Sequence, residues 1–195
     1  MSQLLIVDIQ DKVFAPIPGR EKIAEMAVRL IKVAKALQIP ITVSEHYPQG
    51  LGQTIGELRA ELGDDAAIYD KLYFSGAKDE KLREHLEDTR DTGRGQVIVA
   101  GIEAHVCITQ TALDLIAEGY EVFIVADAVG SRSDQSRELA LSRLRQAGAV
   151  IVDSEMVIFE WAGKAGTPEF KTLIPLLKSD NSAASDGAKP TPKPT

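Results

Sequence analysis

The chain carries a single cysteine, Cys107, and the residues leading into it make it a candidate nucleophile. Gln96-Val97-Ile98-Val99-Ala100 is a short apolar run, the pattern of a central strand covered on both faces. Gly101 breaks the run, and Ile102-Glu103-Ala104-His105-Val106-Cys107 leads into an amphipathic segment from Ile108 to Glu118. This order predicts Cys107 near the first turn of a helix, at the carboxyl end of a parallel strand. In open α/β sheets that edge is where ligands bind. Unpaired N–H groups and the positive dipole end at a helix start favour the thiolate, so a readily ionised thiol is expected. A small core cysteine without chemistry accounts for the same residue.

Two further side chains are placed where such a thiol needs partners. Asp8 directly follows Leu4-Leu5-Ile6-Val7, and a carboxylate there is costly to bury unless a partner or a site uses it. Asp127 and Asp153 also follow apolar runs, so position alone does not single out Asp8. Lys71 sits within Ile68-Tyr69-Asp70-Lys71-Leu72-Tyr73-Phe74-Ser75, a local concentration of aromatics in a chain with few, and aromatic clusters line pockets as well as cores. Other chemistries find little support. His46, His85 and His105 lack metal-ligand spacing, Gly50-Leu51-Gly52 lacks the rest of a nucleotide fingerprint, and no G-x-S-x-G elbow is present.

The elements that must position these residues follow from the hydrophobic pattern. Leu4 to Val7, Ile41 to Val43, Val97 to Ala100, Glu121 to Val125 and Ala149 to Val152 read as strands. Ile23, Ala27, Leu30, Ile31, Ala34 and Leu37 recur at helical spacing until Pro40, Leu82 and Leu86 mark a polar helix, and Leu139, Leu141, Leu144 and Ala147 mark another. Residues 67–74 are ambiguous between a brief strand and a loop. Strands alternating with helices mean βαβ units, so the predicted fold is α/β: a three-layer α/β/α sandwich on a mostly parallel, Rossmann-like sheet. From Ser179 the composition turns to Asn, Ser, Ala, Asp, Lys and Pro, which predicts a disordered low-complexity tail over residues 179–195.

Bulk properties narrow the classes further. At 195 residues, 44% hydrophobic and 26% charged, the chain is an ordinary globular length and composition. A net charge of −7 argues against nucleic acid, because phosphate binding needs a basic face. One cysteine excludes an internal disulfide and fits a reducing compartment. No run reaches the roughly 20 apolar residues of a membrane span. No leader of signal-peptide type opens the sequence, so cytoplasm is the expected address.

Leu5-Ile6-Val7-Asp8-Ile9-Gln10 with Phe14, then Lys71, then Ala100-Gly101-Ile102-Glu103-Ala104-His105-Val106-Cys107, resemble the isochorismatase-like cysteine hydrolases in order and spacing. That family includes nicotinamidases and N-carbamoylsarcosine amidases, and the likeness covers residues 4–177. It implies a hydrolase domain over residues 1–178 and a catalytic triad of Asp8, Lys71 and Cys107. It also implies a non-proline cis peptide between Ile102 and Glu103, aiming the Glu103 N–H with that of Cys107 as an oxyanion hole. The implied activity is cleavage of a C–N bond in a small amide-type substrate through a thioester, with no cofactor.

Departures from the family pattern sharpen this. Nicotinamidases carry an Asp-x-His metal motif after the second strand, where this chain has Ser44-Glu45-His46-Tyr47, so neither the metal nor nicotinamidase activity is expected. True isochorismatases cleave a vinyl ether and can dispense with the cysteine, so Cys107 points toward amides. The stretches Glu45 to Gly52 and Glu103 to His105 look more like the isochorismatase-domain hydrolases, whose membership specifies no substrate. Two alternatives stay open: a non-catalytic binding protein on the same fold, and a vinyl ether hydrolase of isochorismate type. The expected pocket walls are Gln10, Phe14, Tyr47, Tyr73 and Trp161. Met156-Val157-Ile158-Phe159-Glu160-Trp161 is apolar enough to anchor a partner or to pack on the sheet, and the resemblance implies a homo-oligomer.

Overall fold

Alternating side chains of β1 (Ser2–Val7) decide the layering. Leu4 and Ile6 enter one buried cluster and Leu5 and Val7 the other, because a strand points successive side chains to opposite faces. The neighbouring β4 (Gln96–Ile102) does the same, with Ile98 and Ala100 on one face and Val97 and Val99 on the other. Both strands are therefore covered twice, as their unbroken hydrophobic runs predict. The computed structural model describes residues 1–63 and 66–178. The tail predicted over 179–195 lies outside the described residues.

The other strands are β2 (Ile41–His46), β3 (Ala67–Lys71), β5 (Glu121–Gly130) and β6 (Val150–Val152). They form one sheet in the order β3-β2-β1-β4-β5-β6, and every pairing is parallel. The ambiguous segment at 67–74 is thus an edge strand followed by a loop. On one face lie α2 (Arg20–Ala36), α4 (Gly56–Leu62), α8 (Ser154–Ala162) and α9 (Pro168–Lys178), contributing Leu30, Leu58, Ile158 and Leu173 to the core. On the other lie α5 (Glu80–Asp91), α6 (Thr109–Ala117) and α7 (Asp134–Gln146), contributing Leu86, Leu115 and Leu144. The architecture is the three-layer α/β/α sandwich that the pattern of strands and helices predicts. Among the described residues no helix is long and apolar enough to cross a membrane.

Strand order fixes where a site can form. The sheet grows outward from β1 in one direction through β2 and in the other through β4, so the crevice opens at the carboxyl ends of β1 and β4. At that point Val7 sits opposite Ser44 on one side and Gly101 on the other. Gly101 has φ +130°, and a Cβ there would lie 2.0 Å from the Val7 carbonyl oxygen. Only glycine lets the two backbones pass this closely.

Candidate active site

Asp8 is the first residue beyond β1, and its backbone turns into the left-handed region at φ 52°. Asp and Asn tolerate this conformation better than most residues, because their short polar side chains bond locally. The Asp8 N–H still donates to the Ser44 carbonyl at 3.1 Å, so the residue stays pinned to the end of β2. Its carboxylate is buried, with Oδ1 accepting from Ser44 Oγ at 2.7 Å and Oδ2 accepting from Lys71 Nζ at 2.7 Å.

Lys71 closes β3, two strands away, and its aliphatic stem carries the ammonium past the end of β2. The side chain is 0% exposed. Its remaining donors go to the carbonyls of Tyr73 and Phe74, both at 3.2 Å. A lysine ammonium has three donors, and here they are shared among these oxygens and the Cys107 thiol. Paired and fully hydrogen-bonded, the charge is tolerated out of water. The loop 72–78 that supplies those carbonyls is tied to α6 by the Gly76 N–H donating to Thr111 Oγ1 at 2.8 Å.

Cys107 lies in a π-helical turn, Ala104–Ile108, between β4 and α6. Thr109 Oγ1 fastens that turn by donating to the Ala104 carbonyl at 2.6 Å. The peptide between Ile102 and Glu103 is cis. Glu103 Oε2 accepts from the backbone N–H and Nε of Arg132, each at 3.0 Å, which ties this turn to the segment after β5. The thiol feels both charges of the Asp8–Lys71 pair, but burial dominates and, with Asp8 acting in the same direction, pushes it up to about 12 against the opposing pull of Lys71. This corrects the expectation of a readily ionised thiol. The helix start matters less here than removal from water beside a carboxylate.

Asp8 and Cys107 open onto one cavity of about 190 Å³. Val13, Leu51, Phe74, Ile102 and Val106 supply its apolar walls, and His46 and Glu103 complete it. His46 ends β2 with its ring stacked on Phe74 at 5.2 Å between centroids. Burial, followed by the nearby Lys71 charge, holds its pKa below the usual imidazole range, with Asp8 opposing. Val13 belongs to α1 (Asp11–Phe14) and Leu51 to α3 (Pro48–Leu51), two short helices that the sequence pattern did not reveal. Among the described residues no three His, Cys, Asp or Glu side chains converge to hold a metal ion.

The structure brings Asp8, Lys71 and Cys107 together, whereas the five expected pocket walls lie elsewhere. Gln10 is fully buried and braces the loop after β2: its Oε1 accepts from His46 N at 2.7 Å, and its Nε2 donates to the carbonyls of His46 and Gly52. Phe14 turns into the core. Tyr47 and Tyr73 are half exposed at the rim and do not line the cavity. Trp161 sits at the amino-terminal end of the sheet, where Nε1 donates to Ser2 Oγ at 2.7 Å. Aromatic type signals burial, not direction, and the walls are instead set by where backbone turns leave His46, Phe74 and Leu51. The competing strand-end carboxylates are also resolved. Asp127 accepts from the Ser154 N–H and hydroxyl, and Asp153 caps α8 through the Met156 N–H.

Residues 2–156 match the isochorismatase domain family. Isochorismatase domain-containing protein 2 of Xenopus laevis is 41% identical over 176 residues, 90% of this chain and 83% of that protein. Among solved structures, the MAR1 ribonuclease of Caenorhabditis elegans superposes with a TM-score of 0.85 at 37% identity, covering 98% of this chain and 96% of that one. The YcaC protein of Escherichia coli, described as an octameric hydrolase of unknown specificity, superposes with a TM-score of 0.80 at 26% identity over 90% of this chain and 87% of its own. A family match across most of the chain, with the same fold in these neighbours, makes the protein a member of the isochorismatase family.

Proposed function

We propose that this protein is a cysteine-dependent hydrolase that cleaves a C–N bond of a small amide-type substrate through a thioester. One observation carries this reading: the Cys107 thiol and the Asp8 carboxylate face a single cavity, with the Lys71 ammonium locked behind the carboxylate. The resting thiol keeps its proton. As Sγ bonds to the substrate carbonyl carbon, the thiol proton passes to Asp8 and the carbonyl π electrons move to oxygen. The N–H groups of Glu103 and Cys107 are the proposed donors to that oxyanion. Asp8 then protonates the leaving nitrogen, the C–N bond breaks and a thioester remains. Water, deprotonated by Asp8, attacks the thioester, the acid departs, and the proton returns to sulfur. The Lys71 ammonium, 2.7 Å from Asp8 Oδ2, offsets the carboxylate's charge each time Asp8 gives up its proton.

Family membership and the hydrolase among its structural neighbours support a hydrolase. The ribonuclease name of the C. elegans neighbour does not transfer easily. A net charge of −7 and a cavity of about 190 Å³ whose lining holds two acidic residues and no lysine or arginine suit a small molecule better than an RNA backbone. We further propose a homo-oligomer, supported by the exposed Leu72 and Tyr73 near the rim, by exposed Met156 and Phe159 on α8, and by the octameric E. coli neighbour.

The deciding assay is ammonia release from a panel of primary amides and ureides, with Cys107→Ala run beside the parent. Turnover should vanish in the variant while its melting temperature holds. Hydrolysis at the parental rate by Cys107→Ala overturns the covalent scheme.

A further inference from the structure

Charge accounting in the cavity narrows the substrate class. The walls expose carbon from Val13, Leu51, Phe74, Ile102 and Val106, and no lysine or arginine lines them. The buried Lys71 ammonium is shared among Asp8, the Tyr73 and Phe74 carbonyls and the Cys107 thiol, and it does not line the cavity. Arg132 donates its Nε and backbone N–H to Glu103 and stays outside the lining, with its side chain 63% exposed. Lys12, beside the wall residue Val13, sends its ammonium to the Gly50 carbonyl at the surface. His46 is a poor source of positive charge, because burial and the Lys71 ammonium act against its protonation. The two acidic residues in the lining, Asp8 and Glu103, each have a cation held behind them, Lys71 and Arg132.

Resting on the hydrolase reading above, we infer that the site takes amides whose acyl side chain is uncharged and apolar and rejects amides bearing a carboxylate. A carboxylate in this cavity would shed its water, find no cationic side chain in the lining, and lie beside two acidic residues. An aliphatic or aromatic group would instead lie against the apolar walls. At roughly 30 Å³ per water in the liquid, the cavity volume corresponds to a group of about six non-hydrogen atoms.

A matched pair tests this: 4-methylpentanamide and succinamate, which differ in replacing an isopropyl group by a carboxylate of similar shape. Binding is measured calorimetrically on the full-length Cys107→Ala protein, so that the outcome does not depend on the chemistry. The neutral amide should bind about 100-fold more tightly than succinamate. Equal or tighter binding of succinamate, or binding of neither up to millimolar concentration, overturns the inference. Ammonia release by the parent protein from the same pair separates the two proposals. Succinamate turned over as well as its partner sinks the charge argument and leaves the cysteine hydrolase standing. Selective binding of the neutral amide, with no ammonia from it or from the wider panel, sinks the hydrolase and leaves the pocket's preference intact.

Discussion

Lys71 Nζ and Asp8 Oδ2 meet at 2.7 Å with both side chains withdrawn from water, although 63 residues separate them in the chain. Breaking such a pair strands a buried charge, which costs about 3–5 kcal/mol. Asp8→Asn and Lys71→Met should each lose stability on that scale in urea unfolding. The double variant strands neither ion, so its loss should fall short of the sum by about 1–3 kcal/mol. Strictly additive losses would mean that the two charges do not depend on one another.

The same pair tunes a thiol whose pKa is raised chiefly by burial. Between the ordinary value of 9.0 and about 12, the folded protein holds a thiol proton that the unfolded chain has released. Unfolding then sheds protons, so this group's contribution to stability is intact below pH 9 and falls as pH rises toward 12. Below pH 9 the parent protein should react slowly with iodoacetamide. Asp8 raises the thiol pKa and Lys71 lowers it, so the two variants must diverge. Asp8→Asn should alkylate faster at pH 8, each unit of pKa being about tenfold in thiolate, while losing turnover. Lys71→Met should alkylate more slowly still. Mass spectrometry of Cys107 reads both rates, and identical rates in all three proteins would refute the electrostatic account.

Much of this arrangement was legible in the sequence, for a physical reason. Buried parallel strands need unbroken apolar runs, so Leu4 to Val7 and Val97 to Ala100 announce themselves, and the polar residues that follow must lie at the sheet edge. The edge strand β3 was ambiguous because it is only partly buried and carries no such run. The cavity walls were illegible because they depend on turns with little pattern of their own. Tyr47 adopts φ 41° and swings its ring outward, while the adjacent His46 faces the cavity. Asp127 and Asp153 differ from Asp8 in their hydrogen bonds to Ser154 and Met156, which no sequence pattern displays.

Gly101 links the two halves of the site. Gly101→Ala would drive a methyl group to 2.0 Å from the Val7 oxygen, against backbone that cannot swing aside as a side chain would. Either β1 and β4 separate or the strand end distorts. Overpacking of this kind costs about 1–3 kcal/mol or more. The variant should therefore melt lower and also lose turnover, since Asp8 and Cys107 follow these two strand ends. A parental melting temperature and parental ammonia release would show that the close approach is dispensable.

Two aromatic substitutions separate the wall of the cavity from the rest of the fold. Phe74 stacks on His46 and faces the cavity, so Phe74→Ala widens the apolar pocket without touching Asp8, Lys71 or Cys107. Its effect should fall on substrate binding, raising KM about tenfold with a smaller change in kcat. Trp161 lies at the other end of the sheet, and Trp161→Phe removes its hydrogen bond to Ser2 and trims its packing against the core, far from the cavity. That loss should cost about 1 kcal/mol of stability and leave both kinetic constants alone. Kinetic damage from Trp161→Phe with none from Phe74→Ala would move the binding pocket to the amino-terminal edge, where β1 and β4 begin, and away from Cys107.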